Sequence, residues 1–338
     1  MYTEKQKQFF AKFQIDQGQS AISETDIDNL NEIESDYISR LPNLKLSAEF
    51  FANAVQSIPH VHSVRWRLKD SKHLIRKILR KILAKEKKYQ GIDKENYRGI
   101  VTDLIGIRAI HLFKEDLYVI DPEIRNNWDT LETPVIYVRA GDPEIGLIDG
   151  PHEVRTHHFG YRSAHYIVES KPSKQAVIAE LQVRTIFEEG WSEIDHRLRY
   201  PDHSNNADLK SILTLFNRIA GSADEIASFT LSLKHSIEIT NFRLDELKTE
   251  ATQAMKERDA SFVRLDSILM DLDSQKNQTG EHLALISRLK SELNSMKENS
   301  FSETPLAKIQ NNAVAQPNSN QAAGALLAAL AAWAVLSK

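Results

Sequence analysis

The chain has 338 residues, 41% hydrophobic and 27% charged, with a net charge of −4 and no cysteine. That length suits about two domains with a sizeable core, the charge density argues against a membrane protein, and a mildly acidic chain is not built to coat nucleic acid. Without cysteine there are no disulfides, no thiolate zinc site and no cysteine nucleophile, and residues 1–14 hold no apolar run long enough for a signal peptide, so a cytoplasmic protein is expected.

Residues 1–60 read as helices. Thr25, three positions before Asp28, resembles an N-terminal cap ahead of Ile27, Leu30 and Ile33. Pro42 and Pro59 punctuate the segment, and Ser47 is placed to cap a helix containing Phe50, Phe51, Ala54 and Val55. A short strand is expected over 60–68 and a helix over 71–89, buried through Ile75, Ile78, Leu79 and Ile82. The other face of that helix carries Arg76, Lys77, Arg80, Lys81, Lys85, Lys87 and Lys88. Such a face is either plainly solvated or a phosphate seat. Arg67, Lys69 and Ser71, alternating into the helix start, favour a seat for a polyphosphate.

Residues 99–113 read as a helix end leading into a buried strand, with Asp103, Gly106 and Arg108 at its start. An Asp there is a cap, a turn residue or a metal ligand. A helix over 114–128 and strands over 134–139, 163–170 and 175–184 follow. Strands interleaved with helices indicate a mixed α/β layer. Within 179–184, Leu181 and Val183 point one way and Glu180, Gln182 and Arg184 the other. Three polar side chains on one face of a covered strand suit an active-site cleft. The helix over 185–200 places Phe187, Trp191, Ile194 and Leu198 in the core and Glu189, Glu193 and His196 on another sector. Beyond 207 the chain reads as helical. A heptad register over 237–296, including Leu265, Ile268, Leu272, Ile286, Leu289 and Leu293, supports a coiled coil or a long hairpin, with Gly280 in a polar gap where the helix can fold back. Residues 300–321 read as a linker. The apolar run 322–336 reaches about 22 Å as a helix, short of a ~30 Å bilayer core. It is expected to dock on protein, with weak membrane association or self-association as the other readings.

With these residues in place, 61–200 resembles the synthetase domain of the RelA/SpoT family, whose members move a pyrophosphate from ATP to the 3′-hydroxyl of GDP or GTP. The resemblance rests on five elements in the family's order: Arg67-x-Lys69 with Ser71 and Lys77; Asp103-x-x-Gly106-x-Arg108; Gly160-Tyr161-Arg162-Ser163-x-His165; Glu180-x-Gln182-x-Arg184-Thr185; and Trp191 with His196 on the next helix. It implies an α+β fold: a nucleotidyltransferase-like mixed sheet flanked by helices, followed here by an extended helical or coiled-coil region. It implies that Asp103 and Glu180 are catalytic and hold Mg²⁺, hard oxygen ligands completed by substrate phosphates. Arg67, Lys69, Ser71, Lys77 and Arg108 are then the ATP-binding residues, with Tyr161, Arg162, His165, Gln182 and Glu189 on the acceptor side.

Three departures qualify the resemblance. His157-His158-Phe159 precedes Gly160 where the family often has a lysine and a small polar residue, and Arg155 is the available substitute. Glu189 stands where many small synthetases carry an Asn that reads guanine. No H-D-x-x-E-D stretch occurs, so a hydrolase half is not expected. The expected organisation is a helical segment over 1–59, a synthetase domain over 60–204, a coiled-coil region over 205–299, the linker and the apolar helix, with self-association through the C-terminal helices. Two other functions stay open. One is a toxin-like relative acting on adenosine nucleotides or the tRNA 3′ end, for which the lysines of 81–88 are the one basic candidate; the other is a catalytically silent nucleotide-sensing scaffold.

Overall fold

The structure, a computed structural model, describes residues 2–15, 22–142, 148, 150–157, 159–171, 175–199, 207–274 and 279–302. The linker expected over 300–321 is corrected at its start, where residues 300–302 are still helical; the rest of it, the apolar run over 322–336 and His158 lie outside the described residues. The chain divides into two compact units, residues 1–233 and 234–338.

The first unit opens with helices α1 (Glu4–Phe13) and α2 (Glu24–Gln56). Ser23, not Thr25, caps α2, its hydroxyl accepting from the Asp26 amide at 3.1 Å. The expected punctuation at Pro42 is corrected too: α2 runs through Pro42 for 33 residues. An interior proline costs roughly 3 kcal/mol. The buried series Tyr37, Leu44, Ala48, Phe51 and Val55 continues across it, so packing on both sides offsets the lost hydrogen bond. Ser47 is accordingly a buried mid-helix residue and not a cap.

Seven strands form one mixed sheet: β1 (Ser63–Leu68), β2 (Ile105–His111), β3 (Asp129–Thr130), β4 (Val135–Val138), β5 (Glu153–Thr156), β6 (Ser163–Ser170) and β7 (Val177–Thr185). Their order is β1-β2-β7-β6-β4-β5, with β3 beside β6. The pairs β2–β7 and β4–β5 are parallel and the others antiparallel. Helix α3 (Ser71–Leu83) follows β1, the short α4 (Tyr97–Ile100) precedes β2, α5 (Leu117–Asn127) follows β2 and α6 (Ile186–Arg199) follows β7. One face of the sheet, through Ile105, Ile107, Ala109, Tyr166, Val168, Ala179, Leu181 and Val183, joins α2 and α5 in a single buried core. β3 and the wholly exposed β5 have no counterpart in the sequence reading. A two-residue strand and an exposed edge carry no apolar alternation to detect.

The core expected for α6 is corrected. Trp191 is buried, but Phe187, Ile194 and Leu198 are about two-fifths exposed, and the other buried side chains of the helix are Glu188 and Glu189. Helix α7 (Ala207–Ser274) begins in the first unit, where Leu213, Asn217, Ala220 and Asp224 are buried.

In the second unit, α8 (Gly280–Ser302) runs antiparallel to the end of α7, through ion pairs Lys290–Asp273 at 2.7 Å and Lys297–Asp266. Leu269, Ile286 and Leu293 close this seam, whereas Leu265, Ile268, Leu272 and Leu289 are exposed. The α7 side of the contact is therefore one position round from the heptad read in the sequence. Among the described residues no helix is long and apolar enough to cross a membrane.

Candidate functional site

Strand register builds the site. Arg67 pairs with Gly106, Gly106 with Glu180, Arg108 with Gln182, and Gln182 with His165. Because side chains alternate with period two, Arg65 and Arg67, Gly106 and Arg108, Glu180, Gln182 and Arg184, and His165 stand on the face opposite the core. Of these, Arg67, Gly106, Arg108, Glu180 and Gln182 line a cleft of about 560 Å³, together with Lys69, His73, Arg80, Asp103 and His196. Lys77 joins Lys69, His73, Arg76, Arg80 and Asp103 around an adjoining hollow.

Asp103, in the turn before β2, meets Lys69 Nζ at 2.7 Å and Lys77 Nζ at 2.8 Å. Burial works to raise its carboxyl, but the two ammonium groups outweigh that and hold it below the usual range. Lys69 is placed by α2, since the Tyr37 hydroxyl donates to its carbonyl at 2.5 Å. Ser71, at the start of α3, faces Glu34 at 3.5 Å and is absent from the cleft wall. Asp70 caps that helix, accepting from the His73 amide at 3.0 Å.

On β7, Glu180 Oε1 lies 3.2 Å from His165 Nδ1. Burial works to raise this carboxyl as well; the hydrogen bond from His165 prevails and keeps it low, against repulsion from Asp103. The other ring nitrogen of His165 is 2.9 Å from the Tyr161 hydroxyl, to which Arg184 Nη2 donates at 2.8 Å. With Arg184 donating to it, the Tyr161 hydroxyl is free to donate in turn to His165 Nε2. The Arg184 guanidinium also lies 5.0 Å from the centre of the Tyr161 ring. Tyr137 and His157 complete an aromatic cage, at 5.8 and 5.3 Å from that ring.

Glu189, on α6, is buried against arginines. Its Oε1 accepts from Arg65 at 3.2 Å and Arg108 at 3.1 Å, and its Oε2 lies 3.4 Å from Arg184. Glu193 also pairs with Arg108.

The structure does not bring Arg162 to this cleft. Its guanidinium is held by Asp142 at 2.6 and 2.8 Å and by Glu188 at 2.5 Å, and it lines a separate cavity of about 230 Å³ with Thr185 and Asp224. The start of α7 closes this side: Asn217 donates to the Gly160 carbonyl at 3.0 Å, and Thr185 donates to Asp224 at 3.0 Å. Gly160 has φ +76, and a Cβ there would lie 2.7 Å from Asn217 Oδ1, so the position admits only glycine without rearrangement. Burial pushes Glu188 up to about 7 and Asp224 up to about 6. Both carboxyls bind protons more tightly folded than unfolded. The stability they contribute is full at low pH and is lost as pH rises toward 7. Glu188→Gln is expected to reduce the fall in thermal midpoint between pH 5 and pH 8, measured by melting in a series of buffers.

Residues 66–205 match a model described as a region found in RelA / SpoT proteins. This part of the chain is similar to the region found in RelA / SpoT proteins. No curated protein sequence matches the chain. Solved structures resembling it include a GTP pyrophosphokinase family protein from Streptococcus pneumoniae, with 19% identity over 62% of this chain and 95% of that one and a TM-score of 0.42. Another is the small alarmone synthetase 1 of Bacillus subtilis bound to its product pppGpp, with 18% identity, coverage of 58% and 93%, and a TM-score of 0.40. The same protein bound to AMPCPP gives 18% identity, 60% and 95%, and 0.40.

Within residues 66–205, the structure gathers Arg67, Lys69, Asp103, Arg108, Glu180 and Gln182 about one cleft, sets Lys77 on the adjoining hollow, and links Tyr161 to Glu180 through His165. Ser71 and Arg162 stand apart, and Glu189 is enclosed by arginines. Sequence reasoning passed over Arg65, His73 and Tyr137 as site residues; it placed Arg80 on the basic helix face and Arg184 on the polar strand face without giving either a binding role.

Proposed function

We propose that the protein is a pyrophosphokinase that transfers the β,γ-pyrophosphoryl group of ATP to the 3′-hydroxyl of GDP or GTP, making (p)ppGpp. The observation that carries this reading is the meeting of Asp103 and Glu180, distant in sequence, on one cleft wall flanked by Arg67, Lys69, Lys77 and Arg108. Two carboxylates amid so many cations suit a site that holds a polyphosphate and a divalent ion together. The described residues contain no cluster of three or more metal-binding side chains. The donor set of two hard oxygens therefore fits Mg²⁺ that takes its remaining ligands from substrate phosphates. Asp103 and Glu180 would hold that ion, whose charge, when bound, offsets the build-up of negative charge on the transferred group.

In this mechanism Arg67 and Arg108 flank the donor nucleotide, while Lys69 and Lys77 exchange Asp103 for phosphate oxygens. The acceptor lies toward Tyr161, Gln182 and His165. The 3′-oxygen attacks the β-phosphorus, the bond to the α,β-bridging oxygen breaks, and AMP departs with that electron pair. Glu180, held ionised, is placed to take the 3′-hydroxyl proton. Most of the acceleration comes from positioning and charge neutralisation.

The test is incubation of the purified protein with Mg²⁺, β-labelled ATP and, in turn, GDP, GTP, ADP, ATP and bulk tRNA. Label in a guanosine 3′-pyrophosphate supports the proposal; label confined to adenosine nucleotides or tRNA, or none in any acceptor, refutes it. For the lysines of 81–88, Lys81 and Lys88 are already paired with Glu86 and Glu132. Tyr161→Ala is expected to raise the acceptor KM by roughly tenfold, the scale of one lost aromatic stacking contact, with a smaller effect on the ATP KM. Steady-state kinetics with each substrate varied checks this.

A further inference from the structure

We propose that Glu189 is a positioning residue that ties the donor half of the cleft to the acceptor half, and that it does not read the acceptor base. The inference rests on the pyrophosphokinase reading for its kinetic consequences, though not for its geometry.

Glu189 is 6% exposed and faces three guanidinium groups. Its Oε1 accepts from both Arg65 and Arg108, at 3.2 and 3.1 Å. Its Oε2 is buried beside Arg184, 3.4 Å from Nη1. A carboxylate that recognises the N–H edge of a purine needs both oxygens turned toward it in the base plane. Here one oxygen is saturated and the other is sealed from solvent. Using Glu189 for the base would strand the buried Arg184 and the largely buried Arg108, a cost well above the gain of one base contact.

The same arginines reach in two directions. Arg108 lines the donor cleft beside Asp103 and Glu180. Arg184 holds the Tyr161 hydroxyl and lies over its ring. Glu189 is thus the anion between a cation on the donor side and a cation on the acceptor side. Its negative charge lets guanidinium groups sit together at one end of the sheet. Removing the charge leaves Arg65, Arg108 and Arg184 in mutual repulsion, and both substrate halves lose their alignment. Glu193 is the neighbouring acid, but its side chain is 41% exposed and, among the described residues, its ion pairs are with Arg65 and Arg108.

The variants are Glu189→Gln, which keeps the shape and removes the charge, and Glu189→Asp, which keeps the charge. In Glu189→Gln, the KM values for ATP and for the guanosine acceptor should both rise by roughly tenfold, the scale of one lost charge-assisted contact. kcat should fall less, and the preference among GDP, GTP and ADP should not move. Glu189→Asp should recover part of both losses. A shift in acceptor KM and acceptor preference alone would overturn the proposal in favour of base reading. A lower melting temperature with both KM values unchanged would overturn it in favour of simple packing. A second readout needs no nucleotide: the rate at which phenylglyoxal modifies Arg108 and Arg184, followed by peptide mass spectrometry. Both rates should rise several-fold in Glu189→Gln, and unchanged rates would overturn the proposal. If the rates rise while the wild-type protein labels no acceptor, the hub stands and the assigned reaction falls.

Discussion

Replacing Glu180 by Gln is expected to lower pyrophosphate transfer by roughly 10³-fold or more, the scale seen when a principal charge-stabilising group is removed from a water-poor site. The substitution preserves size, and the amide oxygen can still accept from His165 Nδ1. What it removes is a negative charge, held low in pKa by His165 and repelled by Asp103. Removing it relieves repulsion with Asp103, so the fold should not suffer and the melting temperature should change little. Binding of a non-hydrolysable ATP analogue without divalent ion should persist, because Arg67, Lys69, Lys77 and Arg108 are untouched. Transfer from labelled ATP, melting and analogue binding together separate a chemical loss from a structural one. Turnover at the wild-type rate would remove Glu180 from the chemistry.

The polar face of β7 was legible because alternation with period two is a property of the chain, and the buried partners Leu181 and Val183 made the pattern unambiguous. The mixed sheet flanked by helices followed from the same signal. Arg162 shows where legibility was available and unused. It stands an odd number of positions from His165, with the parity of Ala164 and Tyr166, so an extended chain turns it away from the cleft. Glu189 shows where it was not. Helical spacing assigns a residue to a sector but does not name what lies opposite, and the arginines that enclose Glu189 come from β1, β2 and β7. Apolar spacing on α6 misled for a related reason: Glu188 and Glu189 occupy the buried side because they neutralise Arg162 on one flank and Arg65, Arg108 and Arg184 on the other. The register read over 237–296 is exposed at Ile237, Leu244 and Leu247, and the contact is confined to Leu269, Ile286 and Leu293; on α7 it lies one position round, since a register of three and four cannot distinguish adjacent stripes when both carry leucine and isoleucine.

The first turns of α7 are expected to be indispensable to residues 66–205, while the rest of that helix is not. Ending the chain after residue 206 should unfold the protein or abolish the acceptor loop; ending it after Leu233 should leave melting and transfer near their wild-type values. Four contacts decide this. Trp191 Nε1 donates to the Leu213 carbonyl at 3.1 Å, Asn217 donates to the Gly160 carbonyl, Thr185 donates to Asp224, and Gly221 lies against Arg162, where a Cβ would come within 2.8 Å of Nη2. Leu213 and Ala220 are buried in the same contact. Exposing these apolar surfaces and leaving the indole N–H and the Gly160 carbonyl without partners costs on the order of 5 kcal/mol, the lower end of a whole domain's stability. The loop Gly160-Tyr161-Arg162-Ser163 would lose the support under its glycine and its arginine at once. Circular dichroism melts of the two truncated proteins, with transfer assayed on each, test the division. Equal melting temperatures for the two would show that α7 contributes nothing to the region that precedes it.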